Sequence, residues 1–426
     1  MGKTFREIEQ EAFDEGQKWI QKRIEEKLKE EATRQEGEVS PLRKRRKRRI
    51  KIQTVAGQIE LETIYGFDAL RNQWIDPFKE KLGLKKNQTI SPLLAERLCF
   101  TATQSLSYQS CAEISMMWGI DADDSKIHRI VQDYGSRFSD QREEETERIL
   151  DPTTRLAALA ELENPDCDAS AIVIMMDGWM IRERGEQWGF KPVDAPANRV
   201  DWREMKTGIV FHLKDRALTQ TGRHILIDKY YEAFRGDPYE FGRRLFSLAL
   251  RQGLRKAKNV YVIADGAVWI WNLVSDRFSQ ATQVLDIYHA YQHLHAIAQH
   301  LFPDDSERAE QWWKLRKQRL KQMGTIQVDR ILKELNQRVK TLNENSATAV
   351  KTQIAYLEKN RERMDYPKIE QEKAPIASGA IESTCSQMQD RFKRTGQFWT
   401  QTGCQNLAVL EIIRKNKDWD RYWEAA

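Results

Sequence analysis

Cysteine is scarce in this chain, and the spacing of the few cysteines argues against two common structural uses. There are five among 426 residues, and no two of them stand in a Cys-x-x-Cys pair. An odd number without paired spacing makes a disulfide framework and a zinc ribbon poor interpretations. We therefore expect the reducing environment of a cytoplasm.

Long hydrophobic runs are also missing. No stretch approaches the roughly 18 consecutive apolar residues that a membrane-spanning helix needs. The first residues, MGKTFREIEQEAF, lack the apolar segment of a signal peptide. The sequence therefore predicts a protein that neither spans a membrane nor is secreted by a signal peptide.

Positive charge is in modest excess but is unevenly distributed. The formal net charge is +5, yet residues 43–49 (RKRRKRR) form an unbroken run of seven cations. Residues 311–340 carry nine Lys or Arg against only Asp329 and Glu334. Basic blocks of this kind are typical of a polyanion partner such as nucleic acid. The alternative is that the two blocks are a solvated linker and a solvated helix face.

The length of the chain favours two or three domains, because a single ordinary hydrophobic core is smaller. Residues 3–33 are predicted to be a charged helix whose narrow apolar stripe packs on another domain or on a second subunit. Alternation of apolar and polar residues over 50–65 predicts a β-hairpin. Two predicted helices, 107–118 and 124–134, have helix-turn-helix spacing, which indicates either DNA contact or an ordinary helical hairpin.

From residue 171 the hydrophobic pattern changes to strands that alternate with helices. This pattern predicts an α/β sheet with buried strands. The predicted strands are 171–176, 206–213, 222–228, 260–264 and 282–286. The predicted helices between them are 237–253 and 266–279. Residues 289–366 are predicted to be helical, followed by a loop at 367–379 and two last helices at 380–394 and 403–416.

Two aspartates end two of the predicted strands. Asp177 follows the apolar run AIVIMM, Asp265 follows VYVIA, and a glycine comes directly after each. Because binding sites form at the carboxyl ends of strands in open α/β sheets, neighbouring strands would bring both carboxylates to one crevice. Glu382, on a predicted helix, would complete a set of oxygen ligands for two divalent cations in phosphoryl transfer on nucleic acid. The alternative is that each acid only caps a turn or a helix.

A family resemblance is carried by the segments MDGWMIR, VIADGAVWIWN, LDIYHAYQHL and ASGAIESTCSQMQDRFKRTGQFW. They resemble bacterial insertion-sequence transposases of the DDE type, in the Kra-type branch related to Mutator-like and hAT-like enzymes. The resemblance is strong from residue 170 onward and looser over 50–135. It implies an α/β RNase H-like catalytic core interrupted by an all-α insertion. A mostly helical DNA-binding region with a β-hairpin would precede that core.

The resemblance implies roles for single residues of this chain. Asp177, Asp265 and Glu382 would be the catalytic acids and the ligands of two Mg²⁺ or Mn²⁺ ions. Asp286-x-x-His289 matches an element implied to position DNA or to support the metal site. The residues expected to bind DNA are Arg43, Lys44, Arg45, Arg46, Lys47, Arg48, Arg49, Arg391, Lys393, Arg394 and Trp399.

Two segments of the sequence bear on zinc binding. Many relatives carry paired cysteines after the N-terminal hairpin, but residues 66–90 contain none. A zinc-bound N-terminal module is therefore not expected. His289, His293 and His300 fall on one predicted helical face, where a soft-metal site, histidines near phosphates and plain packing all remain open.

Three further residues lie in sequence positions that suggest a role near the site or on DNA. Asp228 also ends a predicted strand, but Lys follows it rather than Gly, so a phosphate would approach less closely. Cys385 follows Glu382 by one helical turn and is expected to be a core thiol. Trp312, together with Trp399, is a candidate for stacking on DNA bases.

The predicted organisation has five segments. They are a charged helix and linker at 1–40, a DNA-binding region at 41–150, the first part of the core at 165–300, a helical insertion at 301–372, and the helix with the third acid plus the C-terminal helix at 373–426.

The combined prediction is a DNA transposase that binds the terminal repeats of its element. It would cleave phosphodiester bonds and join 3′-OH ends to target DNA by a two-metal mechanism. Its partners would be double-stranded DNA and further copies of the chain, as a homodimer or higher oligomer at the bacterial nucleoid. The alternatives are an RNase H-like structure-selective or guided nuclease, and a catalytically inactive transposase-derived DNA-binding protein.

Overall fold

The computed structural model describes residues 2–36, 42–85, 88–162, 170–189, 199–222 and 224–425. The chain is a mixed α/β protein that divides into two compact units, Met1–Phe138 with Lys417–Ala426, and Ser139–Asn416. Cys167 and most of the linker expected at 35–41 lie outside the described residues. No helix in the described part of the chain is both long and apolar enough to cross a membrane.

The first unit combines a three-stranded antiparallel sheet with helices. Its elements are α1 (Phe5–Glu36), β1 (Arg43–Thr54), β2 (Gly57–Asp68), β3 (Gln73–Ile75), α2 (Pro77–Lys81), α3 (Pro92–Gln104), α4 (Tyr108–Met116), the first part of α5 (Asp124–Leu150) and, from the end of the chain, α16 (Trp419–Glu424). The strands pair in the order β1–β2–β3.

The basic run is part of a strand, not a linker. Residues 43–49 form the first half of β1, so the hairpin predicted for 50–65 is longer at both ends. Strand pairing continues past the apolar residues because β2 stays in register with β1 up to the Arg46–Tyr65 pair, and after a register shift Arg43 still pairs with Phe67. The buried side of the hairpin, which includes Ile50 and Leu61, packs against one stripe of α1.

The two helices with helix-turn-helix spacing are present, but the second is longer than expected. α4 ends at Met116, and α5 continues to Leu150 instead of ending near residue 134. At the start of α5 the Asp123 carboxylate accepts a hydrogen bond from the Lys126 N–H at 2.6 Å. Gly119 turns the chain between the helices with a φ of +74°, which favours glycine.

Seven strands lie in the described residues of the second unit. They are β4 (Ala171–Arg184), β5 (Val200–His212), β6 (Arg216–Leu218), β7 (His224–Leu226), β8 (Tyr230–Phe234), β9 (Asn259–Ala264) and β10 (Thr282–Leu285). Five of them form one mixed sheet in the order β10–β9–β4–β5–β8. β10, β9 and β4 are parallel, whereas β5 is antiparallel to both β4 and β8. The first six residues of β4 are all buried, so both faces of this strand are covered.

Two strand predictions were wrong in detail. Residues 222–228 do not join the main sheet, because β7 pairs only with β6 and leaves Ile227 71% exposed. The edge of the main sheet is instead β8, which the sequence pattern did not indicate. The strand predicted to end at residue 176 continues through Asp177 to Arg184, because β5 pairs with its whole length.

Helices make up the rest of the second unit. They are the end of α5, α6 (Arg155–Leu162), α7 (Pro238–Arg251), α8 (Val268–Arg277), α9 (Ile287–Leu301), α10 (Ser306–Met323), α11 (Thr325–Arg338), α12 (Glu344–Asn360), α13 (Tyr366–Gln371), α14 (Gly379–Phe392) and α15 (Gln401–Lys415). The loop expected at 367–379 is therefore helical in its first part. α14 packs against β4 and β5 and carries Glu382 toward the sheet.

Candidate active site

The two aspartates lie on neighbouring parallel strands, although one is not at a strand end. Asp265 directly follows the last residue of β9. Asp177 lies in the middle of β4, two residues beyond Met175, where the pairing of β4 with β9 stops. Both residues therefore lie at the carboxyl edge of the β4–β9 pair, where side chains from several elements meet.

Asp177 is a largely buried carboxyl group with an altered proton affinity. One of its oxygens accepts a hydrogen bond from the Gly178 N–H at 2.7 Å. The pKa of Asp177 is raised from 3.8 to about 6, mainly by burial and also by the negative charge of Asp265, against the opposing effects of the Gly178 N–H and His289. The carboxyl group is therefore close enough to Asp265 for the two charges to repel.

Asp265 is supported by the turn that follows β9. Its carboxylate accepts a hydrogen bond from the Ala267 N–H at 2.9 Å. The intervening Gly266 has no room for a side chain, because a β-carbon there would overlap the hydroxyl of Tyr356 from α12. Burial and the charges of Asp265 and Asp286 raise the pKa of Tyr356, which keeps its hydroxyl protonated beside the acids.

Asp286, His289 and Glu382 form a compact group. One potential ligand atom from each lies within 4.8 Å of the others. Asp286 is fully buried and caps α9 by accepting hydrogen bonds from the N–H groups of Tyr288 and His289 at 2.6 and 2.9 Å. Its other oxygen accepts a hydrogen bond from the Ser378 N–H. The capping bonds hold this carboxylate at the start of α9. Its bond to Ser378 then holds the start of α14 next to it.

Glu382 and Cys385 connect this group to Asp177. The Ser378 hydroxyl donates a hydrogen bond to Glu382 at 3.0 Å. One turn further along α14, Cys385 contacts the carboxyl group of Asp177, and burial raises the pKa of that thiol. Cys385 is buried as expected, but it packs directly against the site. Asp177 and Asp265 are not members of this group of three. Its two carboxylates and one imidazole suit hard divalent cations such as Mg²⁺ or Mn²⁺.

The histidines do not gather into a zinc site. In the described part of the chain, the one group of three potential metal ligands contains a single histidine, His289. His293 instead stacks on Tyr356 at 3.5 Å, and its ring nitrogen hydrogen-bonds Gln353 at 2.6 Å. Burial lowers the pKa of His293, so this ring is neutral at physiological pH.

The residues expected to bind DNA fall into two groups. Residues 43–49 are all exposed, as are Lys393 and Arg394. Trp399 and Arg391 lie in the interior, where the Trp399 indole donates a hydrogen bond to the Phe392 carbonyl at 2.8 Å. This indole packs in the core and presents no open face to a base.

Trp312 is likewise an interior residue. Its indole donates a hydrogen bond to Glu334 at 2.9 Å, and the side chain is 5% exposed. The expectation that Trp312 stacks on a base is therefore wrong for this conformation.

Sequence reasoning missed three residues that shape the site. Ser378 lies four positions before Glu382, a helical spacing that was visible in the sequence. Thr207 contacts Cys385 from β5, and its position became apparent only with the strand register. Tyr356 belongs to the helical region distant in sequence from every acid, and no local pattern distinguished it.

The comparisons with known proteins add little. No protein-family model and no curated protein matches this chain. A solved structure titled "Drosophila P element transposase strand transfer complex" aligns with 76% of this chain and 92% of its own. The sequence identity is 10% and the TM-score is 0.34. A TM-score of this size does not establish a shared fold.

Proposed function

We propose that this protein catalyses metal-dependent phosphoryl transfer on DNA, as a transposase of the DDE type. The observation that supports the proposal is the group of Asp286, His289 and Glu382, together with Asp177, which interacts electrostatically with Asp265 and His289. Asp177, Asp265 and Glu382 are the proposed metal ligands. Asp286 and His289 are the proposed supporting residues.

The chemistry follows from the donor set. Two Mg²⁺ or Mn²⁺ ions bound there would supply an activated oxygen nucleophile and charge stabilisation for the leaving oxygen. The residues of the chain hold fixed negative charge where those ions bind, and the repulsion between Asp177 and Asp265 favours binding of a cation. Asp286 and Ser378 fix the geometry of the group through their hydrogen bonds.

The architecture supports the same proposal. We interpret the five-stranded mixed sheet as an RNase H-like core, with α10 to α13 as the helical insertion between Asp265 and Glu382. The exposed cations of β1 are the proposed contact with the terminal repeats. An assembly of two or more copies would hold both ends of the element.

The test is a cleavage and strand-transfer assay on duplex DNA from the two ends of the segment that encodes this chain. Wild type is compared with Asp177→Asn, Asp265→Asn and Glu382→Gln in Mg²⁺, Mn²⁺ or EDTA. We expect each substitution to lower cleavage and joining by at least 100-fold while DNA binding is kept. Asp228→Asn is the matched control, because Asp228 follows a predicted strand but lies outside the acid group.

Each alternative function has its own outcome in this assay. Metal-dependent cleavage without joining indicates a nuclease on the same site. DNA binding without cleavage by wild type indicates a non-catalytic DNA-binding protein. Cleavage that survives Glu382→Gln means that another acid completes the site.

A further inference from the structure

A cavity of about 910 Å³ lies beside the acid group in the second unit. Its walls come from the first turns of α9 and α14, the segment that leads into α14, and the β6–β7 hairpin. Tyr288 and Ser383 line the cavity, and they are the sequence neighbours of His289 and Glu382. The cavity and the acid group therefore share the starts of two helices but use different faces of them.

The cavity is lined by four side chains that carry positive charge and one that carries negative charge. They are Arg216, Lys229, Lys321, Lys373 and Glu370. Glu370 pairs with Lys321 at 3.2 Å, so three cations remain. A cavity with this balance attracts an anion.

Two of these cations are half-buried. Arg216 donates a hydrogen bond to the Lys373 carbonyl at 2.7 Å, and Lys229 donates one to the Thr384 hydroxyl at 2.9 Å. Burial lowers the pKa of both groups, and the nearby charge of Lys415 lowers that of Lys229 further. Desolvating a cation is unfavourable, and an anionic ligand in the cavity would offset that cost.

The start of α14 adds to the positive potential. No side chain caps this end of the helix, because the hydroxyl of Ser378 is directed to Glu382. Gly379, the first residue of the helix, lines the cavity and has open space where a side chain would be. The N-terminus of a helix binds phosphate groups through its free N–H groups and the helix dipole.

The lining also includes aromatic side chains. Tyr288 is 60% exposed and lines the cavity, whereas the other aromatic residues of the wall, Tyr291 and Phe211, are buried. Aromatic faces beside cations are the usual surface on which single-stranded nucleic acids stack their bases. The ligand that fits is therefore both anionic and aromatic.

We propose that this cavity holds the phosphodiester backbone of the DNA strand that passes through the acid group, with a base against Tyr288. The proposal rests on the proposed function, because it takes the scissile phosphate to lie at the acids. Arg216 and Lys229 contact phosphates next to the scissile one. They position the strand and take no part in the chemical step.

The test measures binding without catalysis. A fluorescent oligonucleotide of eight thymidines is titrated with the full chain in EDTA at several salt concentrations. The double variant Arg216→Gln, Lys229→Met is expected to bind at least ten-fold more weakly than wild type. The slope of log affinity against log salt should fall by about 1.4, because each lost phosphate contact on a single strand contributes about 0.7.

The matched control is Arg255→Gln, Lys258→Met, which removes the same charges from exposed positions of the same unit. Lys373→Gln is a second test variant, because an exposed side chain is dispensable for folding. Equal binding by the cavity variants and the control overturns the proposal. Binding of dTMP as tight as that of the oligonucleotide also overturns it, because the cavity would then be a mononucleotide site.

Failure of this inference and failure of the proposed function give different results. If the cavity variants lose oligonucleotide binding while wild type never cleaves DNA, single-strand binding by the cavity stands and the transposase proposal fails. If the acid variants lose cleavage while the cavity variants bind normally, the transposase proposal stands and the strand site fails.

Discussion

At the scale of single residues, Asp177 combines burial with a position inside a strand. The residues before it in β4 are apolar and buried, and its own carboxyl group has a pKa of about 6. A carboxylate with a raised pKa is unfavourable in the folded chain once it is ionised. Function, rather than stability, explains an acid at this position.

We expect Asp177→Asn to stabilise the metal-free protein at pH 8. The native pKa of about 6 exceeds the ordinary 3.8, so the folded state binds the proton more tightly and loses stability as pH rises between these values. Removing the charge should raise the free energy of unfolding by about 1–3 kcal/mol at pH 8, with no gain below pH 4. Urea denaturation in EDTA across this pH range measures the difference.

The control for that substitution is Asp201→Asn. Asp201 pairs with Arg203 at 2.8 Å on the surface, so its removal should give no such gain at pH 8. If Asp177→Asn is no more stable than wild type at pH 8, the buried charge does not destabilise the fold.

Gly266 is the second residue whose surroundings make a clear prediction. In Gly266→Ala the new methyl group overlaps the Tyr356 hydroxyl, so the turn that holds Asp265 must shift. We expect a loss of about 1–3 kcal/mol in stability and weaker Mn²⁺ binding, measured by denaturation and calorimetry. Adding Tyr356→Ala should recover the Mn²⁺ binding, because it removes both the hydroxyl and the ring carbons that the methyl group overlaps.

Gly16→Ala is the control, since Gly16 lies on α1 with open space around it. That substitution should be neutral or stabilising, because alanine favours a helix over glycine. A fully tolerated Gly266→Ala would mean that the turn and Tyr356 do not constrain each other.

At the scale of elements, the hairpin of β1 and β2 presents its cations in a defined order. Lys47 and Lys51 pair with Glu62 and Glu60 at 2.6 and 2.9 Å. Arg48 lies over the ring of Tyr65, which in turn stacks on Trp74. One side of the ribbon is therefore neutralised by acids, and the other combines arginine with aromatic rings. We therefore expect the side with Arg48 and the aromatic rings to contact DNA.

We expect the triple substitution Arg45→Gln, Arg46→Gln, Arg48→Gln to weaken binding to duplex DNA regardless of sequence. The slope of log affinity against log salt should fall by about 2.7, at about 0.9 for each lost phosphate contact. Fluorescence anisotropy at several salt concentrations measures it. Binding of Mn²⁺ should not change, because the acids lie in the other unit.

The matched control removes three exposed cations from α1 of the same unit, Lys18, Lys22 and Lys27. Substituting Gln at these three positions lowers the net charge by the same amount as the hairpin substitutions do. If both triple variants lose the same affinity, DNA binding depends on the overall charge of the unit, and the hairpin has no special role.

At the scale of the whole molecule, the proposed metal ligands and supporting residues all lie in one unit. The ligands are Asp177, Asp265 and Glu382, and the supporting residues are Asp286 and His289, all within Ser139–Asn416. They come from elements far apart in sequence, so an ion bound by them links β4, β9, α9 and α14. Metal binding is therefore coupled to the stability of this unit.

We expect Mn²⁺ to slow amide hydrogen exchange within Ser139–Asn416 and to leave α1 and the β1–β2 hairpin unchanged. At a free concentration 100 times the dissociation constant the stabilisation should be about 2.7 kcal/mol. Hydrogen exchange with mass spectrometry measures it, and Asp265→Asn should abolish the effect. Equal protection in both units would place a metal site outside the acid group.

Local patterns in the sequence predicted most of the elements. The apolar runs before Asp177 and Asp265 are buried strands, and the segment around Glu382 is a helix, as expected. The periodicity of side chains and the residues that start helices act over a few positions, so one segment suffices to interpret them. The same patterns singled out the acids themselves.

Only the tertiary structure decided which of these residues meet. The register of β4 with β5 and β9 placed Asp177 inside a strand beside Asp265, and the packing of α9 on the start of α14 joined Asp286 to Glu382. Strand pairing also made residues 43–49, expected to bind DNA as a basic run, part of a β-ribbon. Packing took Trp399 into the core and brought Tyr356 to the acids. Such contacts depend on pairing and burial between distant segments, which no local window of the sequence contains.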